Sequence, residues 1–113
     1  MLPKHSRLTK ETIEKYLIKA RRARTPRFLV MYAIVPLQKA PQISFVASKK
    51  VAPRAVDRNK LRRRGYASAK PFVHRLSPGA AILVSYTTKD LKAPIKEMTE
   101  ELEKVLLSAR LLS

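Results

Sequence analysis

Cysteine and tryptophan are absent from this 113-residue chain, glycine occurs twice, and 8 acidic residues stand against 25 lysines and arginines. Each shortage excludes something. Without cysteine there is no disulfide framework, no thiol nucleophile and no thiolate metal site. Two glycines leave no mobile glycine-rich linker and no glycine-rich phosphate loop. The longest apolar run, Phe28 to Leu37, contains Pro36, and a membrane-spanning helix needs about 20 apolar residues. The basic opening MLPKHSRLTK is followed by no apolar segment, so no secretory signal is expected and the cytoplasm is the expected compartment. His5 and His74 are far apart and the acids show no inward-facing pair. A protein-bound metal, zinc in particular, and a self-sufficient protein active site are therefore not expected.

What is present is positive charge on a chain that can still fold. Apolar residues make up 45% of the sequence, near the globular average, and the length suits one domain over residues 1–113. The net charge is +17, whereas solubility alone asks for about 2–8. Such self-repulsion opposes compaction unless a polyanion balances it, and nucleic acid is the first candidate. The charge is uneven. Residues 1–89 hold 21 bases and 3 acids, or +18, while residues 90–113 hold 4 bases and 5 acids, or −1. The polyanion must meet the first part.

Patterning gives the elements. Thr9 stands as a helix N-cap, with Leu8 and Ile13 placed for a hydrophobic staple and Ile13, Tyr16, Leu17 and Ala20 at helical spacing; a helix is expected over about 9–23, before Pro26. Phe28 to Val35 reads as a strand with both faces apolar, and Gln42 to Ser48 as a second strand. The short connection between them suggests an antiparallel hairpin. A basic helix is expected from about Ala55, weakened or ended at Gly65 and closed by Pro71. Ala80 to Tyr86 is a further strand after the Pro78-Gly79 turn. Ile95, Met98, Leu102, Val105, Leu106 and Ala109 form the stripe of a last helix with Pro94 in its first turn. The sum is an α+β sandwich, a sheet of at least three strands with helices on one face.

Lys49 to Arg64 holds eight bases and the single acid Asp57. Arg54, Arg58 and Arg62 recur at i, i+4, i+8 and so share a helix face able to follow a line of phosphates. Asn59 adds a donor and an acceptor among the cations. RNA and DNA remain undistinguished by this segment. Ile13, Tyr16 and Leu17 are either plain core or, flanked by bases, a surface that meets unpaired nucleotides. Tyr32 is either a core tyrosine or part of an uncovered sheet face.

Residues 44–62, SFVASKKVAPRAVDRNKLR, resemble the protein component of bacterial ribonuclease P. Ser48, Lys49, Lys50, Ala55, Arg58, Asn59, Leu61 and Arg62 match the family's "SKK…A…RNR-apolar-KR" pattern. LPK…RL at the start, RFLVMY, AILVSY and the ending EELEKVLLSARLL extend the likeness over nearly the whole chain. The resemblance implies an α-β-β-β-α-β-α sandwich, ribosomal protein S5 domain 2-like, with a four-stranded mixed sheet, helices on one face and a left-handed βαβ crossover. It adds a short strand near Lys50 to Pro53. It implies a non-catalytic protein subunit of an endoribonuclease that removes the 5′ leader of precursor tRNA, with Mg²⁺ and hydrolysis belonging to the RNA and no cofactor on the protein alone. The implied partners are the catalytic RNA and precursor tRNA, with no membrane and no obligate protein partner.

The implied RNA contacts are Lys49, Lys50, Arg54, Arg58, Asn59, Lys60, Arg62 and Arg63. The implied leader cleft is lined by Ile13, Tyr16, Leu17 and Tyr32. This chain departs from the family pattern at Lys60, where a second arginine is usual, at Ile13 and Leu17, usually aromatic, and at Gly65-Tyr66, which interrupts the basic helix. Composition equally fits a ribosomal protein with a structural role. A peripheral role on anionic membranes lacks the amphipathic helix with exposed Trp or Phe that it calls for.

Overall fold

The computed structural model describes residues 21–35 and 40–112. Their order is β1 (Arg21–Arg24), β2 (Phe28–Ile34), β3 (Gln42–Val46), α1 (Ala55–Ala69), a short 3₁₀ turn (Val73–Arg75), β4 (Ala80–Tyr86) and α2 (Ile95–Ser108). The four strands form one mixed sheet in the order β1-β2-β4-β3. β2 pairs antiparallel with β1 and β4, and β3 pairs parallel with β4. A parallel neighbour needs a crossover, and α1 supplies it.

β2 and β4 are the inner strands because their residues are apolar on both faces, a pattern that belongs inside a sheet. Phe28, Val30, Ile82, Val84, Ile43 and Phe45 are all within 1% of full burial and lie on the face that carries the helices. Met98, Leu102 and Leu106 of α2 and Leu61 of α1 close over them. Phe28 meets Tyr86 and Phe45 with ring centroids 5.0 and 6.5 Å apart, and Phe45 meets Tyr66 at 5.2 Å. Such tilted and edge-on contacts suit the aromatic quadrupole.

Three expectations are corrected. β2 and β3 do not form a hairpin; β4 inserts between them. The hairpin reading used only the short connection, whereas burial of β4 on both faces demands a central place. Arg21 to Arg24 is a strand rather than a helix end, because the free edge of apolar β2 takes it as an antiparallel partner. The helix expected over 9–23 otherwise falls outside the described residues. The fourth strand is thus β1, not a segment at Lys50 to Pro53, where the chain instead turns: Val51 N donates to the Ser48 carbonyl and Oγ, both at 3.2 Å, and Ala52 N to that carbonyl at 2.9 Å.

Gly65 does not end α1, which runs on to Ala69. A Cβ at Gly65 would lie 2.5 Å from Phe45 Cδ2 and 2.6 Å from Cγ, so glycine is what lets α1 settle onto β3. Alanine normally gains about 1 kcal/mol over glycine inside a helix, but overpacking costs about 1–3 kcal/mol and Phe45 is fully buried. Gly65→Ala is therefore expected to lower the urea midpoint. A raised midpoint would mean that the ring can yield.

α2 ends in a Schellman turn. Arg110 takes a left-handed φ of 61°, its N–H donates to the Leu107 carbonyl, and Leu111 N–H reaches the Leu106 carbonyl at 2.9 Å. The turn sends Leu111 and Leu112 into the core, where Leu112 bridges Leu76.

Candidate nucleic-acid interface

The basic segment is built from the turn after β3 and the exposed arc of α1. Lys49 and Lys50 sit exposed on the turn, and Arg54 is exposed at the N-cap position. Arg58 braces this region: its Nη1 donates to the carbonyls of Ala52 at 3.0 Å and Pro53 at 2.8 Å. The turn bearing the lysines is thereby fixed to the first turn of the helix.

Along α1, Asp57, Leu61, Gly65, Tyr66, Ser68 and Ala69 face inward. Residues advance by about 100° each, which leaves Asn59, Lys60, Arg62 and Arg63 on the outer arc, all exposed. Arg62 Nη2 donates to Asn59 Oδ1, so the asparagine orients the guanidinium beside it. Arg64 leaves this surface and donates through Nη2 to the Ala93 carbonyl before α2.

The one acid of the helix does not dilute the arc. Asp57 is buried and its Oδ2 pairs with Lys89 Nζ at 2.9 Å. The hydrogen bond from Lys89 holds the carboxyl below the usual aspartate range against the opposing effect of burial, with Arg54 and Lys60 adding to it. The other described ion pairs are equally segregated. Arg27 meets Glu101 at 2.8 Å, Glu97 at 3.4 Å and Asp90 at 3.5 Å, and Arg75 meets Glu103 at 3.1 Å. The acids near α2 thus neutralise Arg27 and Arg75 and leave the α1 arc cationic.

Tyr32 is half-buried, packs against the core and lies opposite Arg21 in the β1–β2 register. Ile13, Tyr16 and Leu17 lie outside the described residues, so of the expected cleft only Tyr32 is described. The basic set Lys49, Lys50, Arg54, Arg58, Asn59, Lys60, Arg62 and Arg63 does come together around one helix and the turn before it. The arginines of β1 were not among the expected contacts; their run RRAR next to an apolar strand was the available signal. Among the described residues no group of three or more His, Asp or Glu is placed to hold a metal. No described helix is long and apolar enough to cross a membrane.

A family model, Ribonuclease P, matches residues 2–110. The ribonuclease P protein component of Pseudanabaena sp. (strain PCC 6903) is 30% identical over 113 residues, covering 99% of this chain and 97% of the relative. Among solved structures, the RNase P protein of Staphylococcus aureus superposes with a TM-score of 0.78 at 19% identity, over 96% of this chain and 98% of that one. The RNase P protein of Thermotoga maritima, in complex with 1-(4-fluorophenyl)-2-thiourea, gives 0.72 at 19% identity, over 88% and 96%.

Proposed function

Since the chain belongs to the ribonuclease P protein family, we propose that it works as the non-catalytic subunit of that endoribonuclease, binding the catalytic RNA through α1 and the 5′ leader of precursor tRNA beside Tyr32. Family membership makes it a protein component in tRNA processing and does not favour a ribosomal role. In this reading the RNA holds the Mg²⁺ and breaks the phosphodiester bond, and the compartment is the cytoplasm. Lys49, Lys50, Arg54, Asn59, Lys60, Arg62 and Arg63 meet RNA. Arg58 fixes the turn and keeps Nε and Nη2 for a phosphate. Ile13, Tyr16 and Leu17 would complete the leader cleft.

The observation that carries this reading is the outer arc of α1, where the bases face solvent and the lone acid is turned inward onto Lys89. Arginine's planar donor fork suits phosphate, and binding releases counterions condensed on the RNA. The chain alone is expected to cleave nothing. Added to its cognate RNA at low magnesium, it should restore leader removal and bind precursor tRNA more tightly than mature tRNA. RNA-catalysed cleavage that is unchanged by the protein at low magnesium would refute the reading.

A further inference from the structure

β1 places three arginines in four residues, Arg21, Arg22 and Arg24. All are exposed, and none meets a carboxylate among the described residues. Arg27, only three residues after Arg24, shares three carboxylates. Described carboxylates are thus close in sequence and fold, yet none of them pairs with β1.

Among the described strands β1 forms one edge of the sheet and β3 the other, and α1 packs over β3 through Gly65 and Phe45. Three strand spacings of about 4.8 Å separate the edges by roughly 14 Å. That exceeds the Debye length of about 8 Å at physiological salt. The α1 arc and β1 are therefore electrostatically separate surfaces, and one phosphate cannot serve both.

A single charge is enough to blunt an edge strand against pairing with another copy; three arginines repel one another and call for an anion. Their register narrows the choice. Arg22 pairs with Met31 and Arg24 with Leu29, so these four share the face opposite α1 and α2. Arg22 and Arg24 stand about 6.6 Å apart along the strand, comparable with successive phosphates of an extended nucleic acid strand. Half-buried Leu29 and Met31 beside them offer an apolar surface to unpaired bases.

We propose that β1 is a second RNA-binding track, in which Arg22 and Arg24 take consecutive phosphates of a single-stranded segment while α1 holds another part of the RNA. The proposal rests on the reading that this protein binds RNA, and its test is independent of cleavage. Binding of a short fluorescein-labelled oligouridylate to the full chain is followed against salt. Arg22→Ala with Arg24→Ala should reduce the log–log salt slope by ~1.4, at ~0.7 per phosphate for single strands. The same reduction is expected when Arg62→Ala and Arg63→Ala are already present. Arg22→Lys with Arg24→Lys, which keeps the charges, should retain the slope.

An unchanged slope, a loss that vanishes in the α1 variant, or an equal loss with lysine would each overturn the proposal. Stimulation of cleavage at low magnesium judges the family role separately, since a chain inert there can still show the β1 slope.

Discussion

Glu101→Ala is expected to lower the unfolding free energy by about 2–4 kcal/mol, as breaking charged hydrogen bonds in a largely buried network does. The carboxylate of Glu101 accepts from Thr25 Oγ1 at 2.5 Å, from Arg27 N at 3.2 Å and from Arg27 Nη1 at 2.8 Å. Its side chain is only 14% exposed and that of Arg27 only 23%. Thr25 in turn holds the bend that starts β2, accepting from Phe28 N at 3.0 Å and donating its own N–H to the Phe28 carbonyl at 2.9 Å. One side chain of α2 therefore pins the β1–β2 turn to the helix layer.

An isolated surface pair contributes about 0–1 kcal/mol. This group differs in accepting three bonds, one of them from backbone. Its loss leaves Arg27 with Glu97 and Asp90 at 3.4 and 3.5 Å, contacts too long to replace it. At roughly 4–8 °C per kcal/mol for a domain of this size, the melting temperature should fall by at least ~8 °C. Far-ultraviolet circular dichroism during urea and thermal unfolding reads it. A loss below ~0.5 kcal/mol would show that water already satisfies these groups.

The separate elements were legible in the sequence because their signals are local. Met98, Leu102 and Leu106 recur at helical spacing and are all buried. The bounds of β4 follow from the apolar run after Pro78-Gly79. The neighbours of each strand were not legible, since pairing is decided across the molecule. Nothing near Phe28 or Gln42 announces that Ala80 to Tyr86 will lie between them. The helical pattern from Ile13 onward has no local stop before Pro26, so Arg21 to Arg24 looked like its continuation. The apolar edge of β2 decided otherwise. Gly65 looked like a helix end because its reason, the Phe45 ring, is twenty residues away in sequence. In the candidate site, the i, i+4 spacing located the basic face. It could not tell that Arg58 would grip the Ala52 and Pro53 carbonyls, or that Arg64 would turn toward Ala93, because both partners are backbone atoms outside the helix.

That distinction among arginines sets the largest effect expected on RNA binding. Arg62 and Arg63 are exposed on the outer arc, and Asn59 orients Arg62. If each meets one phosphate, replacing both by alanine should reduce the salt slope by roughly 2, about one unit per lost contact. A slope of ~0.9 per contact also means that each contact favours binding about tenfold more at 0.1 M than at 1 M salt. The double variant should therefore bind the cognate RNA about a hundredfold more weakly at 0.1 M and differ little at 1 M. Arg64→Ala removes the same formal charge from the same helix, but its guanidinium is turned toward the Ala93 carbonyl. Its cost should appear in the melting temperature while the slope stays unchanged. Filter binding across a salt series separates the two cases. Equal slope losses for Arg64→Ala and for each outer arginine would mean that RNA responds to net charge alone, and the outer arc would lose its role as the surface that holds it.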